Sequence, residues 1–543
     1  MTTPTPPHPA MASTSLPAAL HGLLRPQAYP HPVGELRVVE THMSWVLLTG
    51  EYAYKIKRPV RFPFADFRDP AHRAHLCAEE VRLNRRFAPV LYLGVAAVRA
   101  SDGIATFTGS GPIIETAVQM RQFDRGEELD ILVRTGRIDA AELAYFGEML
   151  AGIHETLPAP PADTDYGTPT AVARLLHRNL AELQTIANHG PSEAAALRHR
   201  LAQQLRRSRR ALATRARGGH IRECHGDLHL SNLVRLDGRI TPFDALEFEP
   251  AFRYIDTADE VAFVCADLEG HGRADLALTF LDAYLDRSGD YPLLRVLDLY
   301  LAHRALIRAK IMAIRASATT DTETTPVTAV QRWRRRESDY LAVAHRTLSR
   351  PPPRLLLLHG LSGSGKSWLA RHLAPRLGAI HLRSDRERKR LAGIAPLATS
   401  GSAPGAGLYT DRASELTYAQ LAAHTRDALG SGRSVLCDAT FLDRTQRLAF
   451  RDLATACGAT ALLLHCTAPD AVLRERLRAR RNAGSDISEA DETVLAWQYE
   501  HAEAPTAEEG LTIHVIDTSS ADPVELAWQA LQPRRFEIPS PEG

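Results

Sequence analysis

At 543 residues the chain is too long for a single hydrophobic core and implies several domains. A hydrophobic content of 44% and a charged content of 24% are those of an ordinary globular protein, and a net charge of +1 excludes a strongly basic nucleic-acid binder. No apolar run reaches the length of a membrane span, and six scattered cysteines without a Cys-x-x-Cys pair fit a reducing cytoplasm.

Residues 1–32 are rich in Pro, Ala, Thr and His, with neither a basic start nor a sustained apolar stretch, and are expected to form a disordered leader. A first domain is expected over residues 33–345, strand-rich at its start and then mainly helical. The strand-like Ala53-Tyr54-Lys55-Ile56-Lys57 places both lysines on one face by its two-residue period. Only five of the 65 basic residues are lysine (Lys55, Lys57, Lys310, Lys366, Lys389), so each marks a place where a compact point charge is used instead of a planar fork. Lys57 also reads as an ordinary surface lysine. The basic run Arg206, Arg207, Arg209, Arg210, Arg215 and Arg217 is expected to be a solvated helix face.

The next segment carries chemistry. His225-Gly226-Asp227-Leu228-His229-Leu230-Ser231-Asn232 is followed by Pro242-Phe243-Asp244. Phosphoryl transfer needs one carboxylate to accept a hydroxyl proton and an Asn and Asp to hold Mg²⁺, roles that Asp227, Asn232 and Asp244 can fill. Two other readings stand beside this one: Asp227 as a helix cap, and Cys224, His225 and His229 as metal ligands. Asp256 and Asp259 are expected to brace the loop.

A proline-rich linker is expected at residues 346–353, then a second domain at 354–533 and a flexible tail at 534–543. Alternating signals place parallel strands at Arg354–His359, Ala379–Arg383, Ser434–Asp438, Ala461–Cys466 and Thr512–Asp517, with helices between them. Directly after the first strand, Gly360-Leu361-Ser362-Gly363-Ser364-Gly365-Lys366-Ser367 is a phosphate-binding loop. Its glycines let backbone N–H groups approach phosphate oxygens, Lys366 reaches the β- and γ-phosphates, and Ser367 holds Mg²⁺. Asp385 follows the second strand and Asp438 ends the third, at the strand ends where open α/β sheets bind ligands.

The Asp227–Asn232–Asp244 segment, with Phe146-Gly147-Glu148-Met149-Leu150-Ala151-Gly152-Ile153-His154, resembles the aminoglycoside phosphotransferase and choline kinase superfamily, relatives of the protein kinases. The resemblance implies a bilobal kinase-like fold, Lys55 in preference to Lys57 on the ATP phosphates, and Glu80, on a helix expected at Ala78–Arg86, as its ion-pair partner. Thr41-His42-Met43-Ser44-Trp45 stands where that family has a glycine-rich loop. The second domain resembles the polynucleotide-kinase and zeta-toxin-like group of small P-loop kinases. That likeness implies Asp385 as general base, Arg388 as an acceptor-binding arginine and Asp438 as an acidic group at or behind the metal. It also implies Arg478 and Arg481 as lid arginines on the phosphates. A motor-type ATPase fits less well, because Asp438 is followed by Ala439 instead of an acid.

The expected whole is an α+β kinase-like domain fused to an α/β P-loop domain with a five-stranded parallel sheet. It would hold ATP and Mg²⁺ at two sites and phosphorylate a hydroxyl on a small molecule or a nucleic-acid 5′ end. The rival is an ATP-sensing regulator whose first domain binds without turnover. Neither a membrane nor an obligate protein partner is implied.

Overall fold

Four consecutive leucines, Leu355–Leu358, lie in the strand Arg354–His359 and are buried on both faces, as a central parallel strand requires. The computed structural model describes residues 16–62, 65–186, 191–318, 327–395, 398, 400–401, 407–483 and 487–532. Its contacts divide the chain into two compact units. One comprises Met1–Glu142, Ile153–Gly167 and Gly219–Glu260; the other comprises Leu143–Gly152, Thr168–Gly218 and Val261–Gly543.

In the first unit six antiparallel strands run in the order Arg37–Glu40, Ser44–Leu48, Tyr52–Lys57, Ile113–Arg121, Tyr92–Ser101, Ile104–Thr106. Alternation along Tyr52–Lys57 sends Tyr54 and Ile56 to one core and Ala53 to another, formed with Cys77 and Val81 of the helix Pro70–Asn84. Lys55 and Lys57 share the face of Ala53 and so look toward that helix, which Asp69 caps by accepting from Ala71 N.

Residues 16–32 of the expected disordered leader are folded. Leu16, Leu20, Leu23, Ala28 and Tyr29 pack with Tyr54 and Ile56, and the Tyr29 hydroxyl donates to Leu23 O at 2.8 Å. Burying each leucine contributes about 1.5–3 kcal/mol, enough to hold a segment whose composition otherwise suggests a loose chain. Residues 1–15 and the expected tail at 534–543 lie outside the described residues.

In the second unit five parallel strands run in the order Ile380–Arg383, Val435–Asp438, Arg354–His359, Thr460–Thr467, Thr512–Asp517. Leu358 pairs with Asp438 across the central register, so Asp438 ends its strand beside the start of the phosphate-binding loop. The helix Lys366–Leu377 starts after Gly365 (φ +81) and stops at Gly378 (φ +63), left-handed positions that favour glycine. Helices Ala274–Ser288 and Leu294–Ala318 belong to this same unit. From the latter, Asp298 accepts from Arg350 Nε at 2.8 Å and from Arg433. Among the described residues no helix is long and apolar enough to cross a membrane.

Candidate active sites

The loop Gly360–Ser367 turns between the central strand and its helix using left-handed backbone at Gly363 (φ +82) and Gly365. A Cβ on Gly363 would lie 2.8 Å from Leu473 O, so the loop tolerates no side chain there. Ser362 N donates to Gln498 Oε1 at 2.7 Å, and Thr518 Oγ1 donates to Ser364 O at 2.8 Å, fixing the loop from both sides. Lys366 is 8% exposed and donates to Gly360 O and Leu361 O, both at 2.8 Å. Burial lowers its pKa below the usual lysine range, an effect the Asp438 carboxylate partly offsets.

Ser362, Gly363, Gly365, Lys366 and Ser367 line a cavity of about 1290 Å³, together with Asp385, Arg388 and Asp438. Gly360 and Ser364 are not on its wall and support the loop from behind. Burial works against the Asp438 carboxylate. Hydrogen bonds from His381 and the Ser367 hydroxyl, with the charge of Arg383, nevertheless bring its pKa below the ordinary aspartate value. The Ser367 hydroxyl and the Asp438 carboxylate line the same cavity and supply hard oxygens of the kind that suit Mg²⁺. Arg388 Nη1 donates to Asp385 Oδ1 at 2.8 Å, so those two also stand together.

The lid arginines require a correction. Arg478 pairs with Glu492 at 2.8 Å and Arg481 with Asp491 at 2.9 Å, each with a side chain 67% exposed, and neither lines the cavity. Arg476 and Arg480 line it instead. The helix Asp470–Ala483 buries Leu473 and Leu477, and residues three beyond each of these share the inward side of the turn. That leucine pair was the available signal. Arg476 Nη1 donates to Gly363 O at 3.2 Å and to Thr518 Oγ1 at 2.9 Å.

In the first unit Glu80 is fully buried and shared by two lysines. Lys55 Nζ donates to its Oε1 at 2.8 Å and Lys57 Nζ to its Oε2 at 2.7 Å. Lys55 also donates to Asp244 and Lys57 to Glu247. Burial opposes the Glu80 charge, but the two ammonium groups bring its pKa down to about 2. Burial likewise opposes the Lys55 ammonium, while Asp244 and Glu80 raise its pKa well above the usual value. Lys57, read from sequence as a possible surface residue, is 2% exposed, because Glu80 and Glu247 enclose it.

Asn232 Nδ2 donates to Asp227 O at 2.9 Å and to Asp227 Oδ2 at 3.1 Å. Phe243 N donates to Asn232 O at 2.9 Å, which sets Asp244 beside Asn232. Asp244 has φ +65, a left-handed conformation unusual for a residue with a side chain, and its amide donates to Tyr92 Oη at 2.9 Å. Asp227, Asn232, Asp244, Lys55 and Glu80 are therefore linked through hydrogen bonds and the chain turn at Phe243. Carboxylate and amide oxygens of this kind suit a hard cation.

The loop is braced by a residue the sequence reading missed. Glu260 Oε1 accepts from Gly226 N at 2.8 Å, and its Oε2 contacts His154 Nε2 at 2.9 Å. Asp256, the last residue of the strand Tyr254–Asp256, accepts from Ala258 N at the start of the helix Thr257–Gly270. The turn Leu230–Asn232 has His229, not Asp227, at its cap position. Among the described residues the trio close enough to share an ion is His154, Cys224 and Glu260, not Cys224, His225 and His229. His225 Nε2 is instead 2.9 Å from Phe243 O. At the expected glycine-rich loop, Met43 N and Ser44 N both donate to Thr41 Oγ1, so a hydroxyl takes up the amides of this turn.

Residues 51–300 match a family model described as phosphotransferase enzyme family, and residues 355–505 one described as AAA domain. Uncharacterized proteins of Mycobacterium tuberculosis and Mycobacterium bovis are 34% identical over 471 residues, covering 86% of this chain and 91% of theirs. Among solved structures, a gluconokinase from Sinorhizobium meliloti 1021 is 24% identical over 34% of this chain and 93% of its own, with a TM-score of 0.24. A choline/ethanolamine kinase family protein from Mesorhizobium loti is 13% identical over 59% of this chain and 89% of its own, with a TM-score of 0.36. The chain belongs to the same family as these mycobacterial proteins and joins a phosphotransferase-family region to a P-loop, kinase-like AAA region.

Proposed function

We propose that the chain is an ATP-dependent phosphotransferase with two Mg·ATP sites, each passing a γ-phosphoryl group to a hydroxyl acceptor. The observation that carries this is the one cavity lined by Lys366, Ser367 and Asp438 together with Asp385 and Arg388. Mg·ATP supplies the electrophilic phosphorus and a leaving ADP. Lys366 exchanges its two carbonyl partners for phosphate oxygens, and Ser367 and Asp438 hold the metal. Asp385 takes the acceptor proton as the acceptor oxygen bonds to phosphorus and the bond to the bridging oxygen breaks. Arg388 keeps that carboxylate ionised and oriented. In the first unit Asp227 is the base, Asn232 and Asp244 the metal ligands, and Lys55, held by Glu80, the phosphate lysine.

The test is ADP release with a panel of alcohols, sugars and 5′-hydroxyl oligonucleotides for wild type, Asp227→Ala and Lys366→Ala. Each substitution is expected to remove part of the turnover. If neither alters it, the proposal fails.

A second reading has its own support: the first unit binds nucleotide without turnover. The Thr41 turn spends its amides internally, and Lys55 engages Asp244, the proposed metal ligand. Nucleotide binding that Lys55→Ala removes, with turnover unaffected by Asp227→Ala, would favour this reading.

A further inference from the structure

The helix Ser384–Leu391 has only eight residues, too short to hold a pose by its own backbone bonds. It presents Asp385 and Arg388 to the cavity, and its remaining charged side chains are anchored elsewhere. Lys389 pairs with Glu489 at 3.0 Å and Glu387 with His424 at 3.3 Å. Arg386 and Arg390 reach in another direction. Arg386 Nη2 donates to Glu148 Oε1 at 3.0 Å, and its Nε lies 3.3 Å from Asp286 Oδ2. Arg390 donates to the backbone carbonyl of Asp286. One turn earlier in the helix Ala274–Ser288, Asp282 Oδ1 accepts from His381 N at 3.3 Å, in the strand that leads into the short helix. Gly289, at φ +70, ends that helix where a Cβ would come within 3.2 Å of Arg390 Nε.

All these residues lie in the second unit, yet they come from two family regions. Glu148, Asp282 and Asp286 fall within the phosphotransferase-family match at 51–300, and the short helix falls within the AAA match at 355–505. The Arg386 and Asp286 side chains are 11% and 12% exposed, whereas that of Glu148 is 45% exposed. Asp286 is therefore the stronger anchor, since an exposed pair is largely screened by water.

We infer that Asp286, assisted by Glu148, is a positioning residue for the acceptor side of the P-loop site, acting through Arg386 and Arg390 on the helix that carries Asp385 and Arg388. The P-loop region then does not complete its own acceptor site; helices of the preceding region hold it in place. The role given to Asp385 rests on the proposed function, but the anchoring does not.

The test uses the full chain and three readouts: amide exchange of residues 384–391, Mg·ADP affinity, and ATP turnover with water as acceptor. For Asp286→Asn, exchange in the short helix rises about tenfold and Lys366-dependent turnover falls about tenfold, while Mg·ADP affinity stays within about twofold. Asp286→Glu restores most of both. Arg386→Lys, which keeps the charge but cannot span two carboxylates, shows the same exchange change should Asp286→Asn fold poorly. Wild-type exchange in both Asp286→Asn and Arg386→Lys overturns the inference, as does a parallel loss of Mg·ADP affinity and turnover. If the wild type shows no Lys366-dependent turnover, the proposed function fails, and the exchange readout still decides the anchoring.

Discussion

Lys366 in the second unit and Lys55 in the first are held by opposite means. Lys366 donates to two neutral carbonyls of its own loop, whereas Lys55 is tied to the carboxylates of Glu80 and Asp244. Giving up a neutral hydrogen bond costs about 1 kcal/mol, while separating Lys55 from the fully buried Glu80 costs several; the Asp244 side chain is 44% exposed, so its pair with Lys55 is partly screened by water. The P-loop is a local device whose glycines, lysine and serine lie within eight residues. The first site is assembled from distant segments, and under the proposed function Lys55 has to part from Asp244 before it meets a phosphate.

The largest effect that can break this comparison is Lys366→Ala. It removes the ammonium proposed to meet the phosphates and is expected to lower turnover at the P-loop site by about a hundredfold or more, read as ADP release. An equal loss from Lys55→Ala alone would mean that the first site dominates. Next comes Glu80→Ala, which leaves Lys55 and Lys57 buried with fewer partners. We expect it to destabilise the first unit by about 3–5 kcal/mol, measured by amide exchange over the helix Pro70–Asn84. Exchange unchanged there would show that the shared carboxylate is dispensable. Gly363→Ala forces a left-handed residue against Leu473 O and should cost about 1–3 kcal/mol, seen as weaker Mg·ADP binding.

The smallest effect is one of pH. Burial and the neighbouring His465 hold His359 near 4 in the fold, against 6.5 when unperturbed. Between those values the unfolded chain binds more protons, so stability of the second unit rises from about pH 4 to 6.5 and is lost on acidification. His359→Gln should flatten the melting temperature across that window, without abolishing its slope, because buried His303 is also depressed, to about 3. A slope identical to wild type would contradict the assignment.

What could be read from the sequence divides along the same line as the two lysines. The strands Arg354–His359 and Thr512–Asp517, with a helix such as Lys366–Leu377 between strands, lie where periodicity and glycine punctuation put them, since those signals are local. Glu247 and Glu260 left no comparable trace. Glu247 reaches Lys57 across 190 residues, and Glu260 braces Gly226 from 34 residues away. Such pairs exist only once the chain has folded. Arg476 and Arg480 differ, because the burial of Leu473 and Leu477, not arginine composition, fixes which side of that helix meets the cavity. The leader failed for composition: prolines hid the spacing of Leu16, Leu20 and Leu23, which seat this segment in the first core.

The most direct test of two separate nucleotide sites is a calorimetric titration of Mg·ADP into wild type, Lys366→Ala and Lys55→Ala. Two classes of site are predicted in the wild type, the tighter one absent from Lys366→Ala and the weaker one absent from Lys55→Ala. A single class, abolished by Lys366→Ala and untouched by Lys55→Ala, would contradict the account and leave the P-loop as the chain's nucleotide site.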